Sequence, residues 1–114
     1  MKQFLLAVSL LTLIGTQASA GFLTNRQEWN NASETKKLGY VQGVYSEMTL
    51  VWPSDTQDTL ARKRAKKNCA QDLGLTDRAL VEIVDSHYTD LENWTDPANI
   101  ALHFGMVKIC KVYK

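Results

Sequence analysis

The stretch from Leu38 to Trp52, LGYVQGVYSEMTLVW, constrains the fold of this chain more than any other. Leu38, Val41, Tyr45, Met48 and Trp52 recur at steps of three and four, the repeat of a helix with one apolar stripe. Gly39 and Gly43 interrupt that helix, each at a cost of about 1 kcal/mol against alanine. Tertiary packing has to offset such a cost, and the expected means is close approach of a second backbone across the bare face. Glycines four apart also occur where membrane helices pair, but Lys36, Lys37, Gln42 and Glu47 exclude a membrane span here. The stretch therefore predicts the central helix of a small soluble bundle, with Gly39 and Gly43 as its helix-packing positions.

Residues 1–20 read as a secretory signal peptide rather than as part of the fold. Lys2 supplies the positive n-region, Phe4 to Ile14 the apolar h-region, and Ala18-Ser19-Ala20 a small-residue cleavage site. The apolar run is too short for a retained bilayer anchor. The expected mature chain starts at Gly21, and no cysteine follows the cleavage site to carry a lipid.

Residues 21–114 then make one domain, short enough that a staple or a partner subunit is expected to supplement its core. Without Lys2 it holds twelve basic and twelve acidic residues. A formally neutral, exported chain has no global electrostatic attraction for nucleic acid or an anionic membrane. Cys69 and Cys110 are its only cysteines. In an oxidising compartment they are expected to form one disulfide, closing a loop of about forty residues at a gain of about 4 kcal/mol. The alternative is a pair of buried free thiols.

Along the mature chain, helix starts recur. Thr24-Asn25-Arg26-Gln27 fits a capping box for a short helix through Trp29, ending near Asn30-Asn31. Ser33 caps the glycine-bearing helix, which Pro53 closes near Trp52. Ser54-Asp55-Thr56-Gln57 forms a second capping box, for a helix reaching Leu73 before Gly74. Asp55 and Asp58 precede Arg62, Lys63, Arg64, Lys66 and Lys67 along it, the order that suits the helix dipole. Its apolar face is thin, and its basic run reads as a solvated face rather than a nucleic-acid patch, since no aromatic residues interleave. Thr76 caps the next helix, with Leu75 stapling onto Leu80, and Leu80, Ile83, Val84, His87, Tyr88 and Leu91 give its stripe. Asn93 to Thr95 form a loop around Trp94. Asp96 and Pro97 open a last helix, where Ala98, Ile100, Ala101, Leu102, Phe104, Val107, Ile109 and Val112 leave almost no polar face. That helix is expected to be the most buried. The sum is an all-α fold, a small helical bundle of about four main helices with one disulfide.

Catalytic chemistry is hard to assemble from these residues. His87 and His103 are the only near-neutral bases. Asp85-Ser86-His87 holds the letters of a nucleophilic triad, but adjacent residues of a helix point to different faces. No C-x-x-C, phosphate loop or zinc-ligand spacing is present, so neither a cofactor nor a metal site is expected. Asp90, Glu92 and Asp96 cluster around Trp94 as a solvated loop rather than as an acid/base pair. The chain reads as a non-enzyme.

Trp29, then Gly39, Tyr40, Val41 and Gly43 within GYVQGVY, then Cys69, Leu75, Thr76, Leu80, Tyr88, Pro97, Ala98 and Cys110 stand in an order that resembles the Rap/Tai family of immunity proteins against type VI secretion amidases. The likeness spans Trp29 to Cys110 and rests on order and spacing, each piece alone being short. It implies a small periplasmic helical protein, usually a homodimer, that binds and blocks a toxin cleaving peptidoglycan peptides. The chain departs from the family pattern at Ser46, where an acidic residue is usual, and at Ala70-Gln71, where a proline follows the first cysteine. The charged helix from Asp55 to Lys67 is a further difference. These departures bear on which toxin is bound. The alternative reading is a small periplasmic binding or acid-stress chaperone-like protein, and a third is a minor enzyme or structural envelope protein.

An inhibitor without catalytic residues acts by filling its partner's cleft, which calls for an exposed loop on a rigid scaffold. The segment Leu91 to Asp96 is the candidate partner-binding loop, with Trp94 as an aromatic anchor and Asp90, Glu92 and Asp96 around it. The competing expectation is that Trp94 tucks under the bundle as a lid over the last helix.

Overall fold

The computed structural model describes residues 23–111; the leader expected over residues 1–20, the cleavage site expected before Gly21, and Val112 lie outside them. Five helices follow in order: α1 (Arg26–Asn31), α2 (Glu34–Thr49), α3 (Gln57–Asp72), α4 (Asp77–His87) and α5 (Ala98–Ile109), with a single 3₁₀ turn at Leu91–Asn93 between the last two. The described residues contain no strand. The all-α bundle with four main helices, expected from the sequence, is what the chain forms.

Side-chain caps explain most of the helix starts. Ser33 accepts from the Lys36 N–H at 3.1 Å to open α2, and Thr76 accepts from the Ala79 N–H at 3.2 Å to open α4. At α1 the cap is Asn25 rather than Thr24. Asn25 accepts from the Glu28 N–H at 2.9 Å, and the Glu28 carboxylate, not Gln27, reaches back to the N–H and hydroxyl of Thr24, both at 2.8 Å. A carboxylate is the stronger acceptor beside a helix N-terminus, which moves the box one residue along.

At α3 the cap is Thr56, on the Thr59 N–H at 3.3 Å, not Ser54. Asp55 is occupied elsewhere: its carboxylate accepts from the Trp52 N–H at 2.8 Å and from Lys63 Nζ at 2.6 Å. The Lys63 ammonium also donates to the Leu50 carbonyl at 2.6 Å, so one lysine of α3 closes the α2–α3 turn. That turn ends α2 at Thr49, before Trp52. Trp52 thus leaves the apolar stripe it was expected to share and stands 53% exposed.

The C-terminus of α3 is closed by Gly74 at φ 60°, a left-handed conformation that glycine adopts without steric cost. The Leu75 N–H reaches the Ala70 carbonyl at 2.9 Å and the Gly74 N–H the Gln71 carbonyl at 3.1 Å, the paired bonds of a Schellman motif. At the start of α5, Pro97 has no side-chain cap to offer, and the Leu23 carbonyl accepts from the Ala98 N–H at 2.8 Å instead. The N-terminal segment is thereby stitched to the last helix.

The core lies where α2 packs on α4 and α5, with Trp29, Val41, Cys69, Val84, Leu102 and Met106 fully buried. Burial of each large apolar side chain there is worth about 1.5–3 kcal/mol. Cys69 near the end of α3 and Cys110 at the end of α5 form the disulfide, with 5.7 Å between their Cα atoms. α3 packs mainly on α2, and the bridge ties its far end to α5.

Two packing expectations are corrected. A Cβ built on Gly39 or Gly43 meets nothing, so within the chain no second backbone lies against them. The close approach is made by Gly105 of α5, where a Cβ would clash with Cγ2 of Ile83 on α4. Nor is α5 buried all round. Ala98, Ala101, Leu102 and Met106 face the core, whereas Phe104 and Val107 remain 58% and 54% exposed. A domain this small has too few elements to sandwich its last helix, so only one of two apolar faces is covered.

Candidate partner-binding surface

The segment between α4 and α5 is held by its own side chains. The Asn93 amide donates to the His87 carbonyl at 2.9 Å, and the Trp94 indole N–H to the Tyr88 carbonyl at 3.0 Å. The Tyr88 hydroxyl donates to the Asp96 carbonyl at 2.6 Å, and His87 Nε2 meets the Asp96 carboxylate at 2.8 Å. From outside the loop, the Arg26 N–H donates to the Trp94 carbonyl at 2.9 Å. Burial first, and then the Asp96 carboxylate and Tyr40, push the Tyr88 hydroxyl up to about 12, so it remains a hydrogen-bond donor throughout the physiological range. Loops secured in this way present their outward side chains at low entropic cost on binding.

The four loop residues singled out from the sequence fall into three situations. Asp90 and Glu92 are exposed, and among the described residues neither has a side-chain hydrogen bond or an ion pair. Trp94 is 41% exposed, its indole edge anchored on Tyr88 and its ring covered by the Arg26 guanidinium 4.2 Å from the centroid. It is neither a lid sealed under the bundle nor a freely projecting anchor. Asp96 turns inward to His87 and so braces the loop instead of facing a partner.

His87 joins this loop to α5. Its ring stacks on Phe104 at 6.1 Å between centroids and 18° between planes, while Nε2 holds Asp96. Phe104 thus connects through His87 to the loop, and Val107 continues the exposed apolar line one turn further along α5. Leu91, the most exposed large apolar side chain among the described residues, stands at the start of the loop. The sequence reading placed Phe104 and Val107 in the core. The signal that could have separated them is the excess of apolar residues on α5, which is more than one face of a helix can bury in so small a bundle.

The triad letters do not converge. Asp85 accepts from the Trp29 indole N–H at 2.7 Å, and His87 is engaged by Asp96, so each serves a different partner. No group of three or more His, Cys, Asp or Glu side chains is placed to hold a metal ion among the described residues. Nor is any described helix long and apolar enough to cross a membrane.

Gly39 and Gly43 lie on the open side of α2, in the wall of a groove of about 700 Å³ between α2, α3 and the start of α5. Their role in the single chain is to leave space rather than to admit a helix.

Comparison of the chain with known protein families, with curated proteins and with solved structures gives no match.

Proposed function

We propose that the protein is a periplasmic immunity protein that binds and blocks a peptidoglycan-cleaving amidase, as its resemblance to the Rap/Tai proteins implies. The observation that carries the binding part of this reading is the braced loop from Leu91 to Asp96, joined through His87 to the exposed Phe104. It combines aromatic and aliphatic side chains with the free carboxylates of Asp90 and Glu92, the composition of an interface centre with a polar rim. Rigid backing and an apolar exposed line are what an occluding inhibitor requires, since its affinity depends on contacts made without reordering. The leader read over residues 1–20 and the Cys69–Cys110 disulfide accord with work in an oxidising compartment.

The test is a pull-down with the mature chain from a lysate containing the secreted protein encoded beside it, followed by an assay of peptidoglycan peptide cleavage. Stoichiometric loss of amidase activity on adding the chain is the expected result. Capture of no amidase, or undiminished cleavage at saturating protein, would overturn the proposal.

A further inference from the structure

The groove between α2, α3 and α5 has an unequal lining. Tyr40, Val44 and Met48 of α2, with Ile100 of α5, form an apolar wall that Gly39 and Gly43 leave uncrowded. Facing it, α3 contributes Arg62, Lys63 and Lys66. Lys63 is neutralised by Asp55 at 2.6 Å, but Arg62 and Lys66 have no ion-pair partner among the described residues. Glu47 also lines the groove without an ion pair, so cations outnumber carboxylates there even with Lys63 set aside.

The setting of Lys66 disfavours its charge. Burial, and then repulsion from Arg62 and Lys63, hold the Lys66 ammonium below its usual range. Across the groove, burial and then Lys66 depress His103. An anion seated between Arg62 and Lys66 would offset the repulsion of Lys66 by Arg62. A volume of about 700 Å³ lies within the range typical of small-molecule sites, and an apolar lining with a few convergent charges is their usual make-up.

We infer that this groove is a binding site for a soluble anionic amphiphile, a single carboxylate on an apolar stem, with the carboxylate held by Arg62 and Lys66 and the stem laid along Val44, Met48 and Ile100 past Gly43. None of these residues belongs to the loop surface described above, and the inference does not depend on the proposed inhibitory role.

Titration calorimetry of the mature chain with decanoate below its micelle concentration tests it. One saturable site is expected, at least tenfold weaker for 1-decanol, which has the stem without the charge. Lys66→Met should weaken decanoate at least tenfold, equivalent to about 1.4 kcal/mol or more. Gly43→Leu should abolish binding while melting no lower than the parent chain, because its side chain enters the groove and nothing else. Decanoate should also raise the His103 titration midpoint followed by NMR. Equal affinity for decanol, undiminished binding by Gly43→Leu, or binding to phosphatidylglycerol vesicles without saturable decanoate binding would each overturn the assignment.

Discussion

Trp29 and Asp85, 56 residues apart in sequence, are joined by a 2.7 Å hydrogen bond from the indole N–H to the carboxylate. Trp29 is fully buried in the core, whereas Asp85 sits on the outer side of α4. The bond therefore lets α1 seat its largest apolar side chain without stranding a polar donor. Asp85→Ala leaves that donor unsatisfied and is expected to cost about 1–3 kcal/mol. Asp85→Asn keeps an acceptor and should cost clearly less. Urea midpoints for the two variants check this, and equal midpoints would contradict it.

The glycines are expected to behave in opposite ways. Gly105→Ala drives a Cβ into the β-branched Ile83 side chain, which has little freedom to move, and should destabilise the fold by about 1–3 kcal/mol. Gly43→Ala adds a Cβ into open space within a helix and should stabilise by about 1 kcal/mol. Thermal melts of both variants, monitored by circular dichroism, give the two signs directly. If Gly43 instead lies against a second copy, its alanine variant will melt lower and elute later than the parent chain.

The Cys69–Cys110 bridge spans 41 residues of sequence. The chain-entropy model assigns such a loop about 4 kcal/mol of stability. Cys69→Ser/Cys110→Ser should lose stability of that order, read from denaturant unfolding with and without reductant. The double variant should show no further response to reductant.

Two groups set pH limits in opposite directions. Asp55 is held below the ordinary carboxylate value by its hydrogen bonds from Lys63 first and the Trp52 N–H second. Its stabilising effect is therefore present above about pH 4 and is lost as the pH falls through the lower folded-state value. The difference in melting temperature between the parent chain and Asp55→Asn should shrink in that acid range. Tyr88, at about 12, favours its neutral form in the folded state. That preference contributes fully below about pH 10 and fades as the pH rises from there through the folded-state value. Burial also raises Tyr40 and Tyr45, so ultraviolet titration should show several late tyrosines, with Tyr88→Phe removing the latest step.

The helices were legible because their signals are local. Ser33, Thr76 and Gly74 act within a few residues of themselves, so their spacing alone places two helix starts and one helix end. The starts of α1 and α3 were displaced by competition the spacing does not show: Glu28 took the place expected of Gln27, and the turn closed between Trp52 and Asp55 keeps Ser54 out of the helix start. The paired cysteines were legible because only one pairing exists.

Facing was the harder problem. Gly39 and Gly43 offered a smooth helix surface, but a smooth surface serves an open groove as well as a helix contact. Which one forms depends on where α3 is drawn by Lys63 and by the disulfide. For α5, residue type says that Phe104 and Val107 are apolar, not whether anything covers them. At the loop, the free carboxylates of Asp90 and Glu92 were readable as exposed, whereas the half-covered state of Trp94 depends on Arg26 and Tyr88, and the inward turn of Asp96 on His87, nine residues earlier.

On the proposed reading, the Trp94 and Phe104 surface binds an amidase and is not merely a structural seam. Binding and folding separate when both are measured on the same preparation. Calorimetric titration of a secreted amidase captured by the mature chain into the parent chain, Trp94→Ala and Phe104→Ala, with a melt of each sample, separates the two. Both variants are expected to be folded at the assay temperature and to bind at least tenfold more weakly, a loss of about 1.4 kcal/mol or more. Parent-like affinity in both, or losses that only track the unfolded fraction, would contradict it.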